Sequence, residues 1–317
     1  MGKNIDDLPP LLVITGPTAT GKSEVAVRVA VQVGGEIVSA DSMLVYRHMD
    51  IGTAKPTQAE MHGIPHHLIS IIEPDQDYSV ALFQKQARKV IAEVYRKGKL
   101  PILAGGTGLY IRSVIERYDF TGACRDEALR ARLLKEAKKC GFEMFHRRLA
   151  EFDRQTAEKL HPRDVRRVIR AFEVYYLTGR PISSYQKTIE NSQPLYNLVI
   201  FGLTMDREAL YRRIEQRVDA MIEAGLIEEV QGLLDAGYDP RLTSMQGLGY
   251  KEMVQFLAGE VSLPQAIELL KRNTRRFAKR QMTWFRRDER IRWVETGSVK
   301  LNSIVAQKIA RCIEGVF

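Results

Sequence analysis

Cysteine is scarce in this chain: Cys124, Cys140 and Cys312 are the only three in 317 residues, far apart and in no C-x-x-C pair. An odd number at such spacings argues against a disulfide framework and against a structural zinc site. Long apolar runs are missing too, and none approaches the ~18 residues of a membrane span. Met1–Pro10 is mildly acidic and has no apolar core, so no secretory leader is expected. These absences together predict a reducing, cytoplasmic setting with no membrane. Acid is in deficit as well: 39 Asp and Glu face 48 Lys and Arg, a net charge of +9. That excess admits a polyanionic partner without demanding one. The remaining composition, 44% hydrophobic and 27% charged, is ordinary for a globular enzyme of one large domain or two modest ones.

What the sequence does contain is a complete phosphate-binding loop, Gly16-Pro17-Thr18-Ala19-Thr20-Gly21-Lys22-Ser23, of the form G-x-x-x-x-G-K-S. The apolar run Leu11–Ile14 precedes it and a helical pattern follows, which is the strand–loop–helix context the motif requires. The glycines let successive backbone N–H groups point into one anion-sized nest at a helix N-terminus. Lys22 adds a point charge, and the Ser23 hydroxyl can ligate Mg²⁺. Such a loop grips a di- or triphosphate, ATP by default. Whether the phosphate is transferred, hydrolysed or expelled is left to the rest of the chain.

Strand signals at Leu11–Thr15, Glu36–Ser39 and Leu100–Ala104 alternate with helical patterns at Lys22–Val33 and Ser79–Lys97. This rhythm predicts an α/β fold, a P-loop NTPase-like parallel sheet with helices on both faces. Ligands in such sheets sit outside the carboxyl ends of the strands. Three loops meet that criterion: the phosphate loop, Ala40–Met43 and the turn Gly105-Gly106-Thr107-Gly108. From about Tyr118 strand signals vanish and charged helices take over, with Arg163, Arg166, Arg167 and Arg170 set among apolar Val165, Val168 and Ile169. A strand, Leu198–Met205, then resumes after the linker-like Asn191–Pro194. The reading is a helical insertion domain, residues 118–194, between the two parts of the catalytic core, 1–117 and 195–317. After Asp206 the core is expected to be helical almost to the end.

The clearest electrostatic feature is Lys271–Arg287. At about 100° per residue, Lys271, Arg272, Arg275, Arg276, Lys279, Arg280, Arg286 and Arg287 share one half of the helical wheel, and Leu270, Phe277, Ala278, Trp284 and Phe285 the other. A solvated face is the common explanation of a charged stripe. Eight cations with no acid before Asp288 repel one another four residues apart and favour a polyanion partner instead.

Several residues carry chemistry. Asp41 could serve as a general base near the bound phosphate, as an Mg²⁺-associated carboxylate, or simply as a loop or helix cap. Thr107 could present donors to a ligand, or only shape a tight turn. Gly105–Gly108 does not fit G-x-G-x-x-G, so no dinucleotide site is implied. His62, His66 and His67 lack the partners of a standard zinc spacing and read as a structured loop. Arg213 and Arg217, four apart on one helical face, suit a diphosphate clamp or a surface ion pair with Glu215 or Glu223.

Taken together, these residues resemble the tRNA dimethylallyltransferases, also called tRNA isopentenyltransferases. Four blocks carry the resemblance: the phosphate loop, Ser39-Ala40-Asp41-Ser42 running through Tyr46-Arg47, Met49-Asp50-Ile51-Gly52-Thr53-Ala54-Lys55-Pro56, and Gly105-Gly106-Thr107-Gly108-Leu109-Tyr110. Fainter echoes follow in Ile214-Glu215-Gln216-Arg217-Val218, Gly249-Tyr250-Lys251 and Lys279-Arg280-Gln281-Met282-Thr283-Trp284. The resemblance implies transfer of a dimethylallyl group from dimethylallyl diphosphate to the exocyclic amine of the adenosine just 3′ of the anticodon, in tRNAs reading codons that begin with U. It implies Asp41 as the base and Thr107 as an aid to the target adenine. Gly16, Pro17, Thr18, Ala19, Thr20, Gly21, Lys22, Ser23 and Arg217 would hold the diphosphate, with Mg²⁺ on Ser23. Asp41, Ser42, Met43, Leu44 and Thr107 would meet the RNA in the core. Arg130, Arg166, Arg167 and Arg170 would sit on the anticodon stem-loop. Gln246, Gly247, Leu248, Gly249, Tyr250 and Lys251, with Lys279, Arg280, Gln281, Thr283, Trp284 and Arg286, would line the RNA path. Leu44 stands where many relatives carry Gln, so no amide contact is carried over to it. A monomer is expected.

The chemistry fits the residues independently. Loss of diphosphate from an allylic carbon needs anion stabilisation, and an aromatic amine needs a carboxylate to take its proton. The adenine must be extruded from its stack, and RNA recognition generally reads such splayed bases. Two other readings share the loop: a small-molecule or nucleoside kinase, and an RNA-binding NTPase switch. The lack of an apolar strand ending in an acid, as a Walker-B requires, weighs against the switch. Asp41, Thr107 and the basic helix weigh against the kinase.

Overall fold

The computed structural model describes residues 7–118, 120, 126–185 and 193–317; Cys124 and half of the linker-like Asn191–Pro194 lie outside them. Six strands form one sheet in the order β3-β2-β4-β1-β5-β6. They are β1 Pro10–Thr15, β2 Glu36–Ser39, β3 His66–His67, β4 Pro101–Gly105, β5 Asn197–Thr204 and β6 Ile291–Glu295, and every pairing is parallel. The fold is therefore the α/β class that the strand–helix rhythm predicts.

The central strand shows why a parallel sheet reads as an unbroken apolar run. Leu11 and Val13 enter a core with Phe83, Ala87, Ile91 and Tyr110 on one face. Leu12 and Ile14 enter another with Val25, Val29, Val305 and Ile309 on the opposite face. The first face is covered by α3 (Val80–Arg96) and α4 (Gly108–Ile115), the second by α1 (Lys22–Val33) and the C-terminal helix Val299–Glu314. Ser79 caps α3, its side chain accepting from the Leu82 amide, as its residue type suggests.

Two elements depart from the sequence reading. The C-terminal part is not uniformly helical, because Ile291–Glu295 adds strand β6 beside β5. An edge strand with only Ile291 buried and charges at Arg292 and Glu295 carries no clean periodicity. His66-His67 is a two-residue edge strand paired with Ile37 and Val38 rather than a loop.

The chain divides into two compact units, Met1–Ile115 with Leu195–Phe317, and Glu116–Pro194. The short helix α2 (Gln58–Met61) belongs to the first. The second unit is helical: α5 (Glu127–Cys140), α6 (Phe142–Leu149), α7 (Arg154–Lys159) and α8 (Val165–Thr178). It has its own core, with Leu129, Leu133, Phe145, Leu149, Val168 and Phe172. In the first unit, α9 (Arg207–Glu223), α10 (Leu226–Asp235), α11 (Tyr250–Leu257) and α12 (Leu263–Phe285) contribute to a third core around Val45, Tyr46 and Met49. The C-terminal helix Val299–Glu314 is α13.

Glu173 is the polar anchor of the second unit. Its carboxylate is fully buried and accepts from Arg130 Nε at 2.8 Å, Arg130 Nη2 at 2.9 Å, the Asp126 amide at 2.9 Å and Arg170. Burial alone would raise its pKa, but the Arg130 hydrogen bonds, the Asp126 amide and Arg170 outweigh it and hold the carboxyl at about 2. A carboxylate depressed by folding stabilises fully above its unfolded value near 4.5 and loses that contribution as pH falls toward 2. Glu173→Gln should therefore cost the unit about 3 kcal/mol at neutral pH. Urea melts should show the deficit narrowing in acid, and a deficit independent of pH would deny the carboxylate this role.

Candidate active site

The loops at the carboxyl ends of β1, β2 and β4 converge. Gly21, at φ +83°, caps α1 in the left-handed conformation that glycine tolerates best, and it lets the loop turn directly into the helix N-terminus. Inside the loop, Thr20 Oγ1 donates to Pro17 O at 2.8 Å and Lys22 Nζ to the same oxygen at 2.7 Å. Arg217 Nη1 on α9 donates to Thr18 Oγ1 at 3.4 Å. Arg213, one turn earlier, donates to Gly297 O at 2.7 Å.

Across from the phosphate loop, the Thr107 amide donates to Ala40 O at 3.1 Å, and Thr107 Oγ1 accepts from the Ser42 amide at 3.1 Å. Asp41 Oδ1 accepts from the Met43 amide at 2.9 Å, which orients the carboxylate. Gly105 allows this closeness, since a Cβ there would lie 2.3 Å from Ala40 O.

A cavity of about 330 Å³ joins these groups. Thr18, Lys22, Ser23, Asp41, Thr107 and Arg217 form its polar wall, and Ile214, Val218, Met221, Leu248, Leu270 and Phe277 its apolar one. Lys22, Ser23 and Arg217 also border a wider trough of about 870 Å³ beside α1. Burial drives the pKa of Lys22 down to about 8, with the Asp41 carboxylate opposing and the Arg217 guanidinium reinforcing the shift. Arg217 is likewise lowered by burial, with Asp41 opposing and Arg213 reinforcing. A polyanionic ligand would relieve both the desolvation of Lys22 and Arg217 and their mutual repulsion.

The wall has a support that local sequence does not advertise. Glu229 on α10 clasps the loop Asp50–Gly52: Oε2 accepts from the amides of Asp50 at 2.9 Å and Ile51 at 2.8 Å, Oε1 from that of Gly52 at 3.1 Å. Oε1 also accepts from the Tyr250 hydroxyl at 2.6 Å. This holds Gly52, Thr53 and Ala54 against the cavity.

Other expected site residues are redistributed. Thr18, Ala19, Lys22, Ser23, Asp41–Leu44, Thr107, Arg217, Gly247, Leu248 and Gln281 all border the 330 Å³ cavity. Tyr250 is corrected from an RNA contact to a core residue: it is fully buried, and its ring fills the space a Gly52 side chain would need. Gly249 is also buried, its amide donating to Glu252 Oε2 at 2.9 Å. Gln246 is exposed and donates to Pro240 O, and Lys251 lies 3.6 Å from Glu252. Gln281, expected on the RNA path, is buried at the wall of the cavity rather than on the exposed face of its helix. In the second unit, Arg130 and Arg170 are committed to Glu173, whereas Arg166 and Arg167 are exposed, the latter with Asp164 at 3.0 Å.

The cationic stripe is shorter than its wheel suggests. Lys271 pairs with Asp219 at 2.6 Å, and Arg275 with Glu215 and Glu268. Exposed positions on the stripe are Arg272, Arg276, Lys279, Arg280, Arg286 and Arg287, accompanied by Thr283 and Trp284. His67 contacts Glu36 at 2.8 Å and His66 contacts Ile64 O. Among the described residues no group of three or more His, Cys, Asp or Glu is placed to hold a metal ion by itself.

The model of the IPP transferase family matches residues 44–288. The chain belongs to that family. A tRNA dimethylallyltransferase of Pelotomaculum thermopropionicum is 63% identical over 307 residues, 97% of each chain. Among solved structures, the tRNA isopentenylpyrophosphate transferase of Bacillus halodurans superposes with a TM-score of 0.72 at 44% identity, covering 96% of both chains. A eukaryotic dimethylallyltransferase acting on tRNA superposes at 0.82 with 27% identity, over 97% of this chain and 79% of that one. Within an IPP transferase, the pairing of an anion nest with a carboxylate across a partly apolar cavity has a direct chemical meaning.

Proposed function

We propose that this protein is a tRNA dimethylallyltransferase, moving the dimethylallyl group of dimethylallyl diphosphate to the exocyclic amine of the adenosine 3′ of the anticodon in tRNAs that read U-starting codons. One observation carries the reading: Lys22, Arg217, Asp41 and Thr107 face a single cavity with an apolar wall. The diphosphate is assigned to the phosphate loop, Lys22 and Arg217, and the five-carbon chain to the apolar wall. The adenine, flipped from its stack, meets Asp41 and Thr107. The bond between the allylic carbon and the diphosphate oxygen breaks, its electron pair leaving on the diphosphate. The amine nitrogen bonds to that carbon, and its proton passes to the Asp41 carboxylate. Lys22, Arg217 and the loop amides act where charge develops, so they stabilise the transition state more than the ground state.

The donor set suits Mg²⁺, a hard cation that takes one or two protein oxygens together with phosphate oxygens and water. Ser23 Oγ would hold it, with Asp41 on the same cavity wall. Bound there, the ion would neutralise charge on the departing diphosphate.

The exposed cations of α12, with Arg166 and Arg167 of the second unit, are assigned to the tRNA backbone. Replacing Arg276, Lys279 and Arg280 together by Gln should weaken tRNA binding and flatten the slope of log affinity against log salt by about 2. Lys271→Gln and Arg275→Gln should leave that slope unchanged, since both are already neutralised by acids. A slope that ignores the triple change would return the stripe to plain solvation. Among the described residues no helix is long and apolar enough to cross a membrane, and a cytoplasmic monomer completes the proposal.

The deciding experiment incubates the protein with unmodified tRNA and labelled dimethylallyl diphosphate, in parallel with labelled ATP. Label should enter the RNA from the prenyl donor alone. Phosphoryl transfer or ATP turnover without prenylation would favour the kinase or the switch.

A further inference from the structure

Gln281 sits on the helix whose exposed face is cationic, yet its side chain points the other way and is 7% exposed. Its Oε1 accepts from the Thr18 amide at 2.8 Å, and its Nε2 donates to Gly106 O at 2.8 Å. A side-chain amide presents an acceptor and a donor side by side at any pH, which is what these two partners need. The room is made by glycine, since a Cβ on Gly106 would lie 2.4 Å from Gln281 Nε2.

These two bonds join loops that the sheet holds only at their bases. Thr18 belongs to the loop after β1, Gly106 to the turn after β4, and Thr107 follows Gly106 directly. On one side the link continues from Thr18 Oγ1 to Arg217 at 3.4 Å. On the other it continues from Thr107 Oγ1 to the Ser42 amide at 3.1 Å, beside Asp41. The groups assigned to the leaving diphosphate and those assigned to the amine are thus spanned by one side chain.

We propose that Gln281 is a positioning residue for the transfer, fixing the separation between the phosphate loop and the Gly105–Gly108 turn so that the allylic carbon and the amine meet in line. The inference rests on the prenyl-transfer reading above. Displacement of diphosphate by an amine requires near-contact and alignment of the reacting atoms, and a misplacement of about 1 Å can cost roughly 100-fold in rate.

Gln281→Met keeps the volume and removes both hydrogen bonds. Its kcat should fall about 100-fold, with the KM for tRNA within about threefold of wild type. Gln281→Glu tests the donor alone: ionised, it sets a carboxylate against the Gly106 carbonyl; protonated, it can donate again. Lys22 and Arg217 border the same cavity and favour the ionised form, so at neutral pH its kcat should fall about as far as that of Gln281→Met. Steady-state kinetics on the full-length protein, with circular dichroism to measure the folded fraction, reads all of this. An unchanged kcat in Gln281→Met overturns the proposal. So does a loss confined to the KM for tRNA, which would make Gln281 an RNA contact, or a loss that merely tracks unfolding. A wild-type kcat in Gln281→Glu overturns it too. Failure of the wild type to prenylate tRNA would instead refute the underlying function, which keeps the two questions separate.

Discussion

Asp41→Ala should slow dimethylallyl transfer by about 10²- to 10⁴-fold, the range of a lost general base, while leaving tRNA affinity close to wild type. The expectation follows from geometry rather than from residue type alone. Asp41 is aimed by the Met43 amide, its neighbour Ser42 is tied to Thr107, and both Asp41 and Thr107 border the cavity that the phosphate loop enters. An exocyclic amine is a weak nucleophile because its lone pair is delocalised into the ring, so relief of its proton must accompany attack. Asp41→Asn, which keeps shape and loses basicity, should be nearly as slow. Single-turnover transfer to prebound tRNA measures the chemical step directly, and wild-type rates in both variants would remove Asp41 as the base. Dimethylallyl diphosphate affinity is the necessary control, because the same carboxylate supports the charge on Lys22.

Lys22→Met should cost about 10²- to 10³-fold in kcat/KM, the usual loss when one charge-stabilising donor is removed from a reacting anion. Its pH signature is more discriminating. Burial lowers the Lys22 pKa to about 8 in the free protein, so the ammonium is protonated below that value and increasingly neutral above it. A diphosphate binds the protonated form and raises the pKa again. Affinity should accordingly be nearly flat below about pH 8 and fall by up to ~10-fold per pH unit above it, with a proton taken up on binding. Calorimetry in buffers of different ionisation enthalpy reads that uptake. In Lys22→Met both the fall and the uptake should vanish. Persistence of either would assign the titration to another group.

The readable parts of this protein were those built from contiguous residues. Leu11–Ile14 is apolar at every position because a central parallel strand is buried on both faces, and that pattern needs no partner to be seen. The phosphate loop is likewise complete in eight consecutive residues, since its nest is made of its own backbone amides. The edge strand Ile291–Glu295 escaped because it meets the core at only one buried position. Glu173 and Glu229 escaped for a different reason. Each is one acid in a helix of ordinary composition, and its meaning lies in donors about forty or about a hundred and eighty residues away.

Sequence alone thus determined the fold class, the phosphate-loop motif and the family resemblance, because local periodicity and contiguous motifs encode those. Tertiary structure decided which polar residues face the cavity and which are spent on the framework. Along α12, one helix in the sequence, it paired Lys271 and Arg275 with acids, left Arg276, Lys279 and Arg280 exposed, and turned Gln281 inward to join two loops. Side-chain chemistry is fixed by residue type, but what a side chain touches depends on neighbours that only folding brings near.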